Sequence, residues 1–227
     1  MIFITGASRG IGKLLMEYFT EQGQLCRGTY FNSAQTDDTR LSRVDIRSFD
    51  EVFVWIESEI KNNKKEEIIL INCAGITYNA FGHKAEIESW RKVIDVNLIG
   101  TFNAIRSVLP HMRESNYGRI INFSSVVAQK GVPGTSAYAA SKAGLSGMTK
   151  ALSVENAGKN ITINNINLGY FDIGIIEHVP SEQLASVIKS IPVGRLGKPS
   201  NIVKTIEFII ANNDFCGSSL DINGGLI

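Results

Sequence analysis

Short apolar runs alternate with helix-like patterns along the whole chain. The strand-like runs are MIFIT (1–5), LCRGTY (25–30), RLSRV (40–44), IILIN (68–72), RIINF (119–123), ITINNI (161–166) and LDIN (220–223). A nearly continuous apolar run, such as IILIN, is typical of a strand buried on both faces. Seven such runs separated by helices predict an α/β fold, with a doubly wound parallel sheet, helices on both of its faces and right-handed crossovers.

Helical periodicity fills the segments between these runs. In the first helix the apolar positions are Ile11, Leu14, Leu15, Tyr18 and Phe19. Gly23 is placed to end that helix. The other predicted helices cover 49–60, with Phe49, Val52, Phe53, Ile56 and Ile60 on one face, and then 88–112, 137–155, 181–190 and 199–212. Neither a repeat nor an interdomain linker interrupts the alternation, so we predict one domain over 1–227.

Composition excludes several function classes. The 23 basic and 22 acidic residues leave no basic excess for nucleic acid. The three cysteines have no CxxC spacing and the three histidines are isolated, so we expect no metal site and no disulfide framework. MIFITG is too short for a signal peptide and no long apolar run follows, so we expect a cytoplasmic protein that does not contact a membrane.

The segment TGASRGIG (5–12) joins the first strand to its helix and carries Gly6, Gly10 and Gly12. Glycines at this junction allow a tight turn, close approach of a phosphate and close packing of helix against strand. The N–H groups of the helix N-terminus then face the anion. This position predicts nucleotide binding, with a glycine-rich turn that holds no ligand as the alternative.

The segment YAASK (138–142) places Tyr138 and Lys142 four residues apart in a predicted helix. Side chains with this spacing share one helix face. An ammonium near a phenol favours the phenolate and lowers the pKa of the phenol. The pair therefore suits acid–base chemistry, although an ordinary surface pair has the same spacing.

The glycine spacing TGxxxGxG and the later YxxxK together resemble the short-chain dehydrogenase/reductase family. Five further segments match its motifs in order: NCAG (72–75), VNLIG (96–100), INFSSV (121–126), IPVGRLGKP (191–199) and LDINGG (220–225). The last two look most like the 3-oxoacyl-acyl-carrier-protein reductase branch. The resemblance covers essentially the whole chain and implies a single Rossmann domain that binds a nicotinamide cofactor.

The resemblance also implies a catalytic set. Tyr138 would supply the proton, and Lys142 would lower the pKa of Tyr138 and hold the cofactor ribose. Ser125, thirteen residues before the tyrosine, would hydrogen-bond the substrate oxygen, with Ser124 as the competing choice or a strand-end cap as its other role. Asn97 would hold a water in a proton relay, or would satisfy backbone groups in a helix kink.

Charge favours NADP(H) over NAD(H). The segment TYFNS (29–33) follows the second strand without the acid that would repel a 2′-phosphate, and Arg9 can fork onto such a phosphate. Asp45 would approach the adenine, with a helix cap as its alternative. The residues expected to bind the cofactor are Gly6, Ser8, Arg9, Gly10, Ile11, Gly12, Thr29, Asn32, Ser33, Asp45, Ile46, Asn72, Ala74, Gly75, Tyr138, Lys142, Gly169 and Phe171.

The sequence departs from the family pattern after the sixth strand. Leu168 replaces the usual Pro, and Ile173 replaces a Thr that helps to hold the nicotinamide carboxamide. Ile cannot form a hydrogen bond, so backbone groups near Gly169 and Phe171 would have to replace that contact. The loop at 170–195 is expected to set substrate specificity.

The predicted function is NADPH-dependent reduction of a ketone, most simply a 3-oxoacyl thioester as in fatty acid biosynthesis. The alternatives are reduction of a sugar or secondary-metabolite carbonyl, or cofactor binding without turnover. An acyl carrier protein is a candidate partner, for which the chain offers the basic residues Arg113, Arg119 and Lys159. By resemblance we also expect a homotetramer or homodimer, in which Ala143, Gly144 and Gly147 would permit close helix approach.

Overall fold

The computed structural model describes residues 1–32, 37–63, 67–174, 176 and 179–227. Its strands are β1 (Ile2–Thr5), β2 (Cys26–Tyr30), β3 (Leu41–Arg43), β4 (Ile69–Asn72), β5 (Gly118–Ser125), β6 (Ile161–Leu168) and β7 (Ser219–Ile222). Its α-helices are α1 (Gly10–Glu21), α2 (Phe49–Asn63), α3 (Ile87–Ile94), α4 (Gly100–Ser115), α5 (Ser136–Asn156), α6 (Ser181–Ser190) and α7 (Pro199–Ala211). All seven predicted strands are confirmed.

The strands form one parallel sheet in the order β3-β2-β1-β4-β5-β6-β7. The chain reverses direction between β1 and β4, which are neighbours in space but not in sequence. In open α/β sheets a ligand binds in the crevice at the carboxyl ends of the strands beside this reversal. The glycine loop after β1 and the NCAG turn after β4 meet there.

Two apolar clusters cover the two faces of the sheet, as predicted. One contains Phe3 and residues of α2 and α4, and the other contains Ile2, Ile4 and residues of α1 and α7. This division follows from the alternation of side chains along β1, which sends successive residues to opposite faces. Within the described ranges, no helix is long and apolar enough to cross a lipid bilayer.

The predicted apolar face of α2 is partly wrong. Val52 and Ile56 are buried, but Phe49 and Phe53 are each 38% exposed and stack on one another. Trp55 is buried instead, with its ring edge-on to Phe3 at 5.2 Å between centroids. The buried stripe is therefore centred on the 52, 55, 56 positions, so the two phenylalanines lie at its rim.

The long helical pattern at 88–112 is interrupted. Between α3 and α4, Asp95–Ile99 forms a π-helical turn that carries Asn97 on the inside of the fold. Such π turns are rare and occur often at functional sites. The interruption places Asn97 beside the N-terminal end of α5, where Tyr138 and Lys142 lie.

Amide side chains run across the middle of the sheet, which the apolar appearance of these strands did not indicate. Asn72, Asn122, Asn165 and Ser219 are paired in register on β4, β5, β6 and β7. Each is hydrogen-bonded to the next, at 2.8, 3.3 and 3.2 Å. Thr149 of α5 donates to Asn165 at 2.8 Å, so the same row anchors α5 to the sheet.

Candidate active site

The glycine loop is shaped by close backbone packing. Gly6 has φ +68°, and a Cβ at this position would lie 2.7 Å from the Cα of Ala74. A Cβ on Gly12 would lie 2.2 Å from the carbonyl oxygen of Gly6. Arg9 precedes α1 without a side-chain cap, so the first N–H groups of that helix are left for an anion.

Two buried threonines hold this loop in place. The Gly6 N–H donates to Thr29 Oγ1 at 3.2 Å, and the Ala7 N–H donates to the Thr29 carbonyl at 2.7 Å. The Ala74 N–H donates to Thr5 Oγ1 at 3.2 Å, which links the loop after β4 to β1. Thr29 is 1% exposed and its hydroxyl accepts the Gly6 N–H. It therefore supports the loop from below, instead of presenting a hydroxyl to a 2′-phosphate as we expected.

Tyr138 and Lys142 lie on one face of α5, with Lys142 Nζ 5.7 Å from the centroid of the Tyr138 ring. Ser125, the last residue of β5, lies close enough to Tyr138 for its hydroxyl to oppose the rise in the pKa of the phenol, and its Oγ also accepts the Val127 N–H at 3.4 Å. Ser124 is buried and donates to the carbonyl of Lys142 at 3.1 Å. Of the two serines that the sequence left open, Ser125 is therefore the one beside the phenol.

Lys142 is 6% exposed and donates from Nζ to the carbonyl of Phe123 at 2.6 Å. Burial lowers the pKa of Lys142 to about 8 because its cation has lost water and has no carboxylate in return. Burial likewise raises the pKa of Tyr138, against a smaller opposing effect of the Ser125 hydroxyl. The expected lowering of the Tyr138 pKa by Lys142 is therefore not observed, because desolvation is the larger effect and the opposing one comes from Ser125.

The Asn97 side chain is fully hydrogen-bonded. Its Oδ1 accepts the Ile76 N–H at 2.8 Å, and its Nδ2 donates to the Ile76 carbonyl and to Ser141 Oγ, both at 3.0 Å. Ser141 in turn donates to the carbonyl of Tyr138 at 2.8 Å. The amide thus satisfies backbone groups beside the helix interruption, which is the alternative role that we considered. The Asn97 backbone carbonyl accepts a bond from Thr101 at 2.8 Å.

Residues 72–75 line the crevice between the glycine loop and Lys142. Asn72 belongs to the amide row, where it bonds to Asn122, so its role in the free protein is within the sheet. Ala74 is held by Thr5. A Cβ added to Gly75 would lie 3.3 Å from Asn97 Oδ1 and 3.7 Å from Lys142 Nζ, so Gly75 keeps the space beside the lysine open.

At the end of the site where a nicotinamide would lie, Phe171 offers its backbone. Phe171 forms a parallel bridge with Gly197 through the bonds of residues 170 and 172, so its own N–H and C=O point the other way. Neither group has a hydrogen-bond partner among the residues that the structure describes. The N–H could donate to the oxygen of a carboxamide, and the C=O could accept from its NH2 group. The Gly169 N–H, in contrast, donates to the Ile222 carbonyl, and Ile173 packs against an apolar cluster.

At the opposite, adenosine end, Asp45 binds Arg47 through a forked ion pair with a shortest distance of 2.5 Å. The helix cap of α2 is Ser48, whose Oγ accepts the Glu51 N–H at 3.3 Å, so Asp45 does not cap that helix. The Ile46 carbonyl accepts a bond from Asn103 at 2.9 Å.

The remaining expected cofactor residues lie around the glycine loop. Arg9 and Asn32 are exposed, Ser8, Gly10 and Ile11 are half-buried, and Ser33 lies outside the described residues. These positions leave the mouth of the loop accessible from solvent. The glycine cradle, the capless helix N-terminus and the free backbone of Phe171 together fit a dinucleotide. In the described part of the chain, no group of His, Cys, Asp and Glu residues could hold a metal ion.

Comparison with known proteins agrees with this geometry. The profile of the short chain dehydrogenase family matches residues 1–183. The chain belongs to the short chain dehydrogenase family. It is 35% identical to an acetoacetyl-CoA reductase of Rhizobium meliloti (strain 1021) over 98% of this chain and 96% of the relative. It is 33% identical to a 3-oxoacyl-[acyl-carrier-protein] reductase of Thermotoga maritima over 99% and 96% of the two chains.

A 3-oxoacyl-[acyl-carrier-protein] reductase of Haemophilus influenzae is 32% identical over 98% of this chain and 96% of the relative. As a short chain dehydrogenase the protein is an oxidoreductase, and family membership implies a nicotinamide cofactor. The chain resembles the 3-oxoacyl-acyl-carrier-protein reductases along nearly its full length, as the motifs predicted.

Two residues that shape the site were not singled out from the sequence. Ser141, inside YAASK, and Ile76, directly after NCAG, complete the Asn97 network. Arg119, offered above as a carrier-protein contact, is 1% exposed. Its guanidinium donates to the carbonyls of Gly118, Asn160 and Ile210, so it joins strand starts to α7 and cannot reach a partner. That expectation is wrong for Arg119.

Proposed function

We propose that the protein is an NADPH-dependent reductase of a 3-oxoacyl thioester, with Tyr138, Ser125, Lys142 and Asn97 as its catalytic set. The observation that carries the proposal is the placement of Tyr138 beside Ser125 and 5.7 Å from the buried Lys142 Nζ, measured to the centroid of its ring. The relatives whose names specify acetoacetyl-CoA and 3-oxoacyl-acyl-carrier-protein substrates support the thioester.

When bound, NADPH supplies a hydride to the carbonyl carbon. Tyr138 then donates its proton to the oxygen on which negative charge develops. Burial raises the pKa of Tyr138, which keeps the phenol protonated and suits the reductive direction. Ser125 donates to the same oxygen and holds it near the phenol, and this contact strengthens as charge accumulates.

Lys142 would hold the cofactor ribose. It would also help to return a proton to the Tyr138 oxygen after that oxygen has donated its own. Its Nζ is already aimed by the Phe123 carbonyl, and the glycine at position 75 leaves room beside it. The network of Asn97, Ile76 and Ser141 keeps the first turns of α5 at a fixed distance from the crevice. The reacting groups are thus positioned before the substrate arrives.

Docking of an acyl carrier protein would rest on fewer basic residues than the sequence offered. Arg113 and Lys159 are exposed, whereas Arg119 is buried. Two neighbouring positions, Asn116 and Asn160, carry no positive charge. Both end a helix with left-handed φ values of 52° and 54°, a conformation that asparagine tolerates. We propose the coenzyme A thioester as the first substrate to test.

A homotetramer or homodimer fits the exposed apolar side chains of the helices. Ile99 and Phe102 are 45% and 41% exposed beside and on α4, and Val154 on α5 is 85% exposed. Gly147 has open space around it, while Gly144 is needed within the chain because its Cβ would meet Leu98 at 2.9 Å. Light scattering of the purified protein measures the number of subunits.

The proposal is tested by following NADPH oxidation with acetoacetyl-CoA, with NADH in a parallel series. We expect turnover with a kcat/KM that is higher for NADPH. Turnover only with sugar or other ketones would replace the thioester by another carbonyl substrate. Cofactor binding without turnover on any ketone would make the protein a binding protein and would contradict the proposal.

A further inference from the structure

Two guanidinium groups lie on one aromatic ring at the adenosine end of the crevice. Phe31 follows β2 directly, and Arg43 is the last residue of the neighbouring strand β3. The guanidinium carbon of Arg43 is 5.0 Å from the centroid of the Phe31 ring, and that of Arg47 is 5.7 Å from it. Both distances are in the range of cation–π contacts.

The two cations differ in how they are compensated. Arg47 is neutralised by the Asp45 carboxylate, which binds it at 2.5 Å. Arg43 is exposed and, across the described residues, has no carboxylate within ion-pair distance, although Asp45 also attracts it from farther away. Arg47 has Asp45 in direct contact and Asp95 and Glu51 nearby, so Arg43 is the less compensated of the two cations. This cation is also kept in place, because an aromatic face restricts a side chain that would otherwise sample many rotamers.

Its position relates this cation to the cofactor. Arg43 is paired in register with Tyr30, and the Val44 N–H donates to the Tyr30 carbonyl at 2.9 Å. The glycine loop is fixed to the same strand, β2, through Thr29. The ribose of a dinucleotide on that loop ends beside the carboxyl end of β2, where its 2′ substituent is distinguished.

We propose that Arg43, held by Phe31, is a specificity-determining residue that binds the 2′-phosphate of NADP(H). A guanidinium forks onto a phosphate more strongly than onto the neutral hydroxyl of NAD(H). Thr29 is not available for this phosphate, so Arg9 and Arg43 together replace the hydrogen bonds that the sequence assigned to it. Arg47 does not contribute to discrimination, because its charge is already paired with Asp45. The inference rests on the proposed NADP(H) preference.

The test measures binding of 2′,5′-ADP and of 5′-ADP to the purified full chain by calorimetry, so that turnover is not required. Arg43→Ala should weaken 2′,5′-ADP by about 10-fold, since a charge-assisted bond is lost, and leave 5′-ADP within about twofold. Arg43→Lys should recover part of the loss. Arg91→Ala, at an exposed arginine of α3 that pairs with Glu88, is the control, with an unchanged ratio of the two affinities. Phe31→Leu should lower the ratio by about 3-fold, because the cation is retained but no longer held.

The outcomes separate the two proposals. In one outcome, the wild-type protein and Arg43→Ala both prefer 2′,5′-ADP over 5′-ADP by the same factor. This result would overturn the role of Arg43 and leave the NADP(H) preference intact. An equal loss for both ligands would also overturn it, as a general loss of binding. A wild-type protein that binds both ligands equally would overturn the NADP(H) preference and this role together. Turnover with acetoacetyl-CoA is a separate measurement and can succeed or fail in any of these cases.

Discussion

The two ends of the crevice are built in opposite ways. At the catalytic end, Asn97, Ser141 and Lys142 are buried and hydrogen-bonded to backbone or to one another. At the adenosine end, Arg9 and Arg43 are exposed. Buried polar groups that are fully bonded define one geometry, whereas exposed cations attract charge and tolerate small displacements. If the proposals above hold, reaction geometry is fixed by the fold, whereas cofactor choice is set by a few replaceable surface charges.

The largest expected effect follows from breaking the catalytic end at its reacting atom. Tyr138→Phe removes the proton donor but keeps the ring that lies near Lys142. We expect kcat to fall by about 1000-fold, the usual range for loss of a general acid, with NADPH affinity within about threefold of wild type. Stopped-flow and steady-state assays on the best ketone measure both values.

Tyr117→Phe is the control for this change, because Tyr117 stacks on the remote Arg119 and its ring is kept. It should leave kcat unchanged. Full turnover by Tyr138→Phe would show that the proton comes from elsewhere and would remove the central argument for the site.

The second prediction uses the cost of burying Lys142. Below about pH 8 its ammonium is charged in the folded protein, without a carboxylate partner. Lys142→Met should abolish turnover yet raise the free energy of unfolding at pH 7 by about 1–2 kcal/mol, because a buried charge is replaced by an apolar chain. Urea unfolding measures the change.

The pH dependence of this gain has a defined sign. The folded pKa of Lys142 is lowered from 10.5 to about 8, so between these values the unfolded chain binds the extra proton and wild-type stability rises with pH. The advantage of Lys142→Met should therefore shrink between pH 8 and 10.5. Lys150→Met, at an exposed position of the same helix, should show neither the gain nor its pH dependence. A pH-independent gain would mean that packing, not charge, is its cause.

The fold was predictable from the sequence because its signals are local. Runs such as IILIN and the glycine at position 23, whose φ of 75° ends α1, depend on neighbours within a few residues. The π turn at Asp95–Ile99 and the exposure of Phe49 and Phe53 were not predictable in this way. Both depend on how separate elements pack, which periodicity within one helix does not report.

The candidate site was predictable in identity but not in environment. Motif spacing named Tyr138, Lys142 and Ser125, which the structure brings together. It did not show that burial would outweigh the Tyr138–Lys142 interaction, or that Thr29 would be used by the glycine loop. These results depend on desolvation and on hydrogen-bond partners more than twenty residues away, such as the Gly6 N–H bonded to Thr29. Arg43 and Phe31 belong to no motif and become neighbours only through the pairing of β2 with β3.

The smallest expected effect concerns Ile173, which belongs neither to the buried catalytic network nor to the exposed cations of the adenosine end. The N–H and C=O of Phe171, which have no partner among the described residues, would suit a carboxamide, while Ile173 packs against the apolar cluster on the α1 and α7 face. Ile173→Thr would replace an ethyl branch by a hydroxyl near that group and so lose the packing of two carbon atoms. We expect NADPH to bind about threefold tighter, below the full value of a neutral hydrogen bond because Phe171 already satisfies the carboxamide. Ile173→Val has nearly the same shape without the hydroxyl and should not tighten binding, so equal affinities of the two variants would show that the carboxamide depends on the backbone of Phe171 alone.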